Sequence, residues 1–412
     1  MTPERVIIAV EGGAPTGGAE RIAFDTIKVL SQQGIPTVIV SSAAKVDESF
    51  TNLPSVSAIT LDLKIHFDRF FHGGKKHMVK NLLEDRAMKA RFTEILAPLD
   101  SEKTIYHAHG FHNFFTQASL HVAVNLKMKT AVTCHDFGIT CPTATLFNYK
   151  TNEICPLKPL SIKCLQSHCL GDDGVRLKQL RFARNWVSHY VHHVPEKLDR
   201  MLAVSDFERQ ILQSHFGTRA KVGTLLNPVD PAAETASDPA RAKNYLWIGR
   251  MTVEKDGITA AQTCKKLGYP ITFVGDGPQR EAIEAANPTA NYLGWMSQEE
   301  VKQAQRSARA MILSSKWHET ASLVVLECLA AGIPCVVPDT SAAISWVEDG
   351  VNGYYFKAGD SESLGNALTK LQDDETVRRL GQNAFKRYWS SPFTLERYKN
   401  DLFTIYSEML AS

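Results

Sequence analysis

Apolar residues recur along this chain in two alternating rhythms. Short unbroken runs, such as Val6-Ile7-Ile8-Ala9-Val10 and Thr37-Val38-Ile39-Val40-Ser41, alternate with longer stretches. In the longer stretches apolar side chains return every three or four residues, as Ile22, Ala23, Ile27 and Leu30 do before Gly34. The runs predict strands, the longer stretches predict amphipathic helices, and Gly34 is a helix stop. Strands are expected near 6–10, 37–41, 58–61, 104–108, 130–134, 200–204 and 222–226. Helices are expected over 19–33, most of 76–97, 115–127, 175–192 and 206–215.

The segment 230–243, rich in Pro, Ala and charge, interrupts this rhythm as linker or surface loop. A second series follows, with strands near 244–249, 270–275, 290–294, 310–314 and 334–338. Helices over 257–267, 278–286, 297–308 and 322–331 alternate with them, and helices near 361–372, 375–388 and 394–410 close the chain. Such alternation predicts an α/β protein with parallel sheets covered by helices on both faces. Two Rossmann-like halves are expected, with a cleft between them for a small molecule.

Composition narrows the function classes. A chain of 412 residues accommodates two to three domains, and 44% apolar with 22% charged residues excludes disorder and fibrous repeats. The 46 Lys and Arg against 44 Asp and Glu leave a net charge of +2, so no nucleic-acid partner is expected and an anionic ligand must be held locally. Eight cysteines are too few for a disulfide-built fold. The N-terminus shows no secretory pattern and no run of about 18 apolar residues exists, so a cytoplasmic location is expected. One local exception is 64–91, with eight basic and three acidic residues behind Phe67, Phe70 and Phe71. It reads either as a solvated helix face or as a contact for an anionic lipid surface.

The stretch richest in chemistry runs from Lys316 to Pro334. Glu319 falls in a loop after a strand, Ser322 stands where a helix cap belongs, and Gly332 ends that helix. Free N–H groups near Ala321, Ser322 and Leu323 would form an anion site suited to phosphate. Glu327 sits among Leu323-Val324-Val325-Leu326 and Cys328-Leu329-Ala330-Ala331. A lone buried carboxylate is costly, so Glu327 needs a partner or a polar ligand. Arg250 and Lys255 follow a strand and Gly249; they read as phosphate-binding cations or as ordinary surface charges. The loop Gly12-Gly13-Ala14-Pro15-Thr16-Gly17-Gly18 matches neither the dinucleotide fingerprint nor a P-loop, and reads as a ligand-facing loop or a tight turn. His109 ends a strand, where open α/β sheets place ligands, and His135-Asp136 ends another. Cys134, Cys141, Cys155, Cys164 and Cys169 crowd into one segment without the spacing of a zinc finger. A structural zinc among Cys141, Cys155, Cys164 and Cys169 is one reading; reduced, buried thiols are the other.

Together these pieces resemble a known family. Glu319-x7-Glu327 followed by Ala-Ala-Gly-Ile-Pro-Cys-Val-Val resembles the donor-site signature of family 4 of the retaining glycosyltransferases, which have the two-domain GT-B fold. Gly17-Gly18-Ala19-Glu20, His107-Ala108-His109, Val204-Ser205-Asp206, Asn227-Pro228-Val229-Asp230, Gly249-Arg250 with Lys255, Val274-Gly275-Asp276-Gly277-Pro278 and Leu293-Gly294-Trp295 are similar to further family segments, in the family's order. Asp256-Gly257 departs from the family, which often has Gly directly after the lysine. His135-Asp136 followed by Cys141-Pro142 resembles the branch associated with bacterial surface polysaccharides.

The resemblance implies a GT-B fold with parallel sheets facing a central cleft. It implies an acceptor domain over 1–228, rejoined by a last helix within 389–412, and a donor domain over 229–388. Glu327 would hold the nucleotide ribose, Glu319 would face the transferred sugar, and Arg250 and Lys255 would neutralise the pyrophosphate. Gly17, Gly18, Gly275 and Thr320 would join Ala321, Ser322 and Leu323 on the donor. His109 would contact the acceptor or transferred sugar, with His135 and Asp136 on the acceptor side. The implied reaction is metal-independent, retaining transfer of a hexosyl group from a nucleoside diphosphate sugar to a hydroxyl of a glycan or lipid-linked oligosaccharide, in polysaccharide biosynthesis at or near the inner membrane. No cofactor is expected for catalysis. A nucleotide-sugar epimerase and a non-catalytic nucleotide-sugar binding subunit are the alternatives.

Overall fold

The computed structural model describes residues 1–63, 75–113, 115, 117–171, 174–231 and 235–412, with 75–85 as backbone alone. The chain forms two compact units. Unit 1 comprises Met1–Thr145, Leu157–Pro228 and Leu395–Ser412; unit 2 comprises Leu146–Pro156 and Val229–Thr394.

The first strands in chain order are β1 (Arg5–Val10), β2 (Thr37–Ser41), β3 (Val56–Thr60), β4 (Thr104–Ala108), β5 (Lys129–Cys134), the short hairpin strands β6 (Phe147–Asn148) and β7 (Glu153–Ile154), β8 (Arg200–Ala203) and β9 (Val222–Thr224). Unit 1 is built on a parallel sheet of order β3-β2-β1-β4-β5-β8-β9. β2 and β4 are buried throughout and β1 from Val6 onward, which is why they read as unbroken apolar runs. Sheet growth reverses between β1 and β4, where Ile8 lies opposite Ile39 on one side and His107 on the other. The C-terminal ends of these two strands form the topological switch point, where open α/β sheets bind ligands.

The last helix, Leu395–Ala411, belongs to unit 1. Tyr398, Leu402, Tyr406 and Met409 form one buried stripe at helical spacing. Two hydroxyls in that stripe fix its register. Tyr398 Oη pairs with Thr26 Oγ1 at 2.6 Å, and Tyr406 Oη with His107 Nδ1 at 2.8 Å. Residues 389–394 stay with unit 2.

Unit 2 carries β10 (Tyr245–Ile248), β11 (Ile271–Val274), β12 (Asn291–Tyr292), β13 (Ala310–Ile312), β14 (Cys335–Pro338) and β15 (Gly353–Phe356), in the parallel order β12-β11-β10-β13-β14-β15. Alternate residues of its strands feed two separate cores. Tyr245, Trp247, Phe273 and Ile312 face one; Leu246, Val274, Met311 and Val337 face the other. β15 was not expected from sequence. Its four residues, Gly-Tyr-Tyr-Phe, show neither an aliphatic run nor alternation. It is held instead by close approach: a Cβ on Gly353 would lie 2.1 Å from the Cys335 carbonyl oxygen. The switch point here falls between β10 and β13.

Among the described residues, no helix is long and apolar enough to cross a membrane. The basic segment 64–91 lies outside the described residues over 64–74 and outside the described side chains through 85.

Candidate active site

At the switch point of unit 2, the loops after β10 and β13 carry the sequence-selected charges. The β10 loop is pinned from behind: Trp247 Nε1 donates to Ser314 Oγ at 2.9 Å, and Ser314 Oγ donates to the carbonyls of Lys255 (3.0 Å) and Asp256 (2.8 Å). Asp256 adopts φ 51°, a left-handed conformation that favours glycine, and its buried carboxylate pairs with Lys316 at 3.0 Å. The residue that departs from the family pattern thus takes a glycine-like backbone and gains an ion pair. Gly275 is a packing glycine, since a Cβ there would lie 2.0 Å from the Gly249 carbonyl oxygen. Arg250 is exposed and makes no side-chain hydrogen bond or ion pair among the described residues.

Lys255 does not stand alone. Its Nζ pairs with Glu319 Oε1 and lies 5.4 Å above the Trp317 ring centroid. Ser315 Oγ donates to the same carboxylate oxygen at 2.6 Å. Burial pushes the Glu319 carboxyl up, but Lys255 and the hydrogen bonds outweigh it, so the group is held below its usual 4.5. The pair is largely buried, with 19% of the Lys255 and 7% of the Glu319 side chain exposed.

The helix Leu323–Ala330 starts beside this pair. Ser322 occupies the cap position but caps nothing; its Oγ is buried with no partner among the described residues. The Leu323 amide is taken by the Ala321 carbonyl at 3.0 Å. The amides of Ala321, Ser322 and Val324 therefore meet no acceptor among the described residues. This corrects the set expected from sequence by one residue, because the chain turns tightly at 321–323. Such a helix start, with open N–H groups and an unpaired hydroxyl, is suited to an anion. Glu327 is buried one turn further on, and Gln305 Nε2 donates to its Oε2 at 2.9 Å. Gln305 escaped sequence analysis. Its signal was a glutamine at the apolar spacing of Val301 and Ala304 on the helix Gln298–Arg306.

Unit 1 assembles a separate group at its own switch point. His107 is held on both sides, by Tyr406 and by Thr133 Oγ1 at 2.8 Å, and burial pushes it down to about 3. His109 Nδ1 meets His135 Nε2 at 3.1 Å. Burial, His107 and His135 push His109 well below its ordinary value, and burial brings His135 to about 4 despite Asp136. Both imidazoles are therefore neutral at neutral pH. His112 Nε2 lies 3.5 Å from Asp136 Oδ2. The half-buried Glu11, also missed from sequence, accepts the amides of Asn113 (2.9 Å) and Phe115 (3.3 Å). The glycine loop packs locally. A Cβ on Gly13 would lie 2.1 Å from the Lys45 carbonyl oxygen, one on Gly17 2.6 Å from a Glu20 carboxylate oxygen, and one on Gly18 would meet nothing.

The Val204-Ser205-Asp206 motif is a helix start. Ser205 Oγ accepts the Glu208 amide at 3.1 Å, and Glu208 accepts the Val204 amide at 2.9 Å. In the cysteine segment, Cys141, Cys164 and Cys169 are buried in unit 1, whereas Cys155 falls in unit 2. The organiser there is Lys178, buried, whose Nζ donates to the carbonyls of Cys164, Leu165 (2.9 Å) and Ser167 (3.0 Å). Among the described residues, no three His, Cys, Asp or Glu side chains are gathered to hold a metal ion.

Comparison with known proteins agrees with this architecture. Residues 16–233 match the family described as Glycosyltransferase Family 4, and residues 242–374 match Glycosyl transferases group 1. A phosphatidyl-myo-inositol mannosyltransferase of Mycobacterium leprae is 27% identical over 213 residues, 47% of this chain and 57% of that protein. The chain thus spans less than two thirds of that relative's length. Sucrose-phosphate synthase from Thermosynechococcus elongatus superimposes with a TM-score of 0.72 at 15% identity, over 99% of both chains. Anabaena HepE in complex with UDP-glucose does so with 0.63 at 15% identity, also over 99% of both. These structural likenesses establish the GT-B fold.

The Lys255–Glu319 pair has a measurable signature. Lys255→Met should destabilise the protein by about 3 kcal/mol, since a buried charge loses its partner. Adding Glu319→Gln should recover most of that loss. Because the folded Glu319 carboxyl lies below 4.5, the pair's contribution is present above that pH and is lost as pH falls through the lower folded value. Urea denaturation should therefore show the gap between wild type and Lys255→Met closing on acidification. A gap that is constant with pH would contradict the pairing.

Proposed function

The chain belongs to glycosyltransferase family 4, and from that membership we propose that it transfers a hexosyl group from a nucleoside diphosphate sugar to a hydroxyl, with retention of configuration. The observation that carries the proposal is the convergence at one switch point of an open helix start, an exposed Arg250 and the Lys255–Glu319 pair. The amides of Ala321, Ser322 and Val324 and the Ser322 hydroxyl would receive the diphosphate. Arg250 would neutralise it from the β10 loop. Lys255 would turn from Glu319 toward the phosphates, releasing the Glu319 carboxylate to the sugar's hydroxyls. Glu327, oriented by Gln305, would take the ribose hydroxyls. HepE was solved with UDP-glucose, which supports a nucleotide-sugar donor here. His109, with His135 and Asp136 behind it, would face the acceptor or transferred sugar. The acceptor is proposed to be a glycan or lipid-linked oligosaccharide of bacterial polysaccharide biosynthesis, reached from the cytoplasmic side of the inner membrane.

Charge on the pyrophosphate grows as the glycosidic bond breaks, so cations that meet it act mainly on the transition state. Arg250→Ala and Lys255→Ala should each lower kcat on the order of a hundred- to a thousandfold, with smaller changes in KM. Glu319→Gln should lower kcat while nucleotide diphosphate affinity is kept. Steady-state kinetics on the three variants decides this. Near-normal kcat in both cation variants would mean that the leaving group is stabilised elsewhere.

Fixed cations and a helix start can supply the positive field that a divalent ion supplies elsewhere, so activity should survive EDTA. Loss of activity on chelation, rescued by magnesium or manganese, would overturn this. The cysteine segment is proposed to hold buried thiols around Lys178, so elemental analysis of the active protein should find no stoichiometric zinc. About one zinc per chain would favour a metal there instead.

A further inference from the structure

A cavity lies wholly within unit 1, at the C-terminal ends of β1, β4 and β5. It encloses about 160 Å³, comparable to about five waters at about 30 Å³ each. That is the scale of a single monosaccharide. Three carboxylates line it, Glu11, Glu20 and Asp136, together with the imidazoles of His109, His112 and His135. Among the described residues, no lysine or arginine lines it. Behind the lining, the Arg181 guanidinium is turned to Asn113 Oδ1 at 3.4 Å and sits within electrostatic reach of Glu11 and Asp136.

We infer that this cavity reads an uncharged, polyhydroxylated acceptor terminus and rejects anionic ones. The inference rests on the transferase reading above and specifies the class of acceptor. Hydroxyl groups donate hydrogen bonds, and carboxylates only accept them. His109 and His135 are neutral, so they offer hydrogen-bonding nitrogens without the positive charge an anion would need. His109 is 5% exposed, and its Nε2 is buried without a partner among the described residues. A ligand hydroxyl would satisfy it. A carboxylate or phosphate on the ligand would instead enter beside a carboxylate-lined wall that offers no cation among its described lining residues.

The glycine loop acquires a role in this arrangement. A Cβ at Gly12 would lie 2.8 Å from Glu20 Cγ, and one at Gly17 2.6 Å from Glu20 Oε2. The bare backbone at these positions leaves room for the Glu20 side chain to fold back beside the cavity. The loop therefore places a carboxylate, and Glu20 is a specificity-determining residue.

The test uses the full-length protein with UDP-, GDP- and ADP-sugars and a panel of octyl hexosides, each paired with its uronide and its 6-phosphate. Nucleoside diphosphate release above the rate without acceptor, and product mass, are read. At least one neutral glycoside should be used about tenfold or more better than its anionic partners. Glu20→Gln should narrow that ratio by improving use of the anionic members. Equal or better use of a uronide or phosphate by the wild type would overturn the inference. Donor hydrolysis with no member of the panel accepted would overturn it too. Donors left intact in every mixture would instead count against the transferase reading itself.

Discussion

A carboxylate taken out of water must find a partner or lose its charge, and this requirement organises both units. Glu319 meets it with Lys255 and Ser315, and Glu327 with Gln305, whereas burial outweighs the amides that Glu11 and Glu208 accept and pushes both carboxyls up toward their neutral form. The positions of these acids are not scattered. Glu11, Glu208, Glu319 and Glu327 all lie just beyond the C-terminal ends of parallel strands or one turn into the helix that follows. A parallel sheet buried on both faces leaves only its strand ends for polar chemistry, so burial and function meet there.

The two switch points solve the problem differently. In unit 2 a lysine answers the acid. A lysine is a point charge on a flexible stem, and a competing diphosphate can draw it away. In unit 1 fixed backbone amides answer Glu11, and neutral imidazoles stack between β4 and β5. The first arrangement suits a ligand that arrives with charge and leaves with more. The second suits one that brings hydroxyls.

Much of this was legible in the residues. The apolar runs marked the strands because both sheet faces are covered, and the charged motifs fell at strand ends because parallel topology puts ligand loops there. What escaped has physical reasons. β15 is held by the close approach of Gly353 to Cys335, a contact across eighteen residues that no local pattern encodes. Gln305 and Lys178 are polar residues at positions where helical spacing calls for apolar ones, and only the fold shows that each satisfies a group elsewhere. Glu11 directly follows the Val6–Val10 run, and the amides it accepts, of Asn113 and Phe115, lie far away along the chain. The glycine loop read as a ligand-facing loop or a tight turn; its residues show further that Gly13 packs on the Lys45 carbonyl and that Gly12 and Gly17 lie against Glu20.

The central claim is that the helix start at Ser322, with Glu327 behind it, receives a nucleoside diphosphate. Calorimetric titration of UDP, GDP and ADP into the protein and into Glu327→Ala tests it most directly. At least one nucleotide should bind wild type at a single saturable site, and the variant should lose about tenfold or more in affinity, as expected when a charged hydrogen-bond acceptor is removed. Absence of binding by all three nucleotides, or binding that is indifferent to Glu327, would contradict the account.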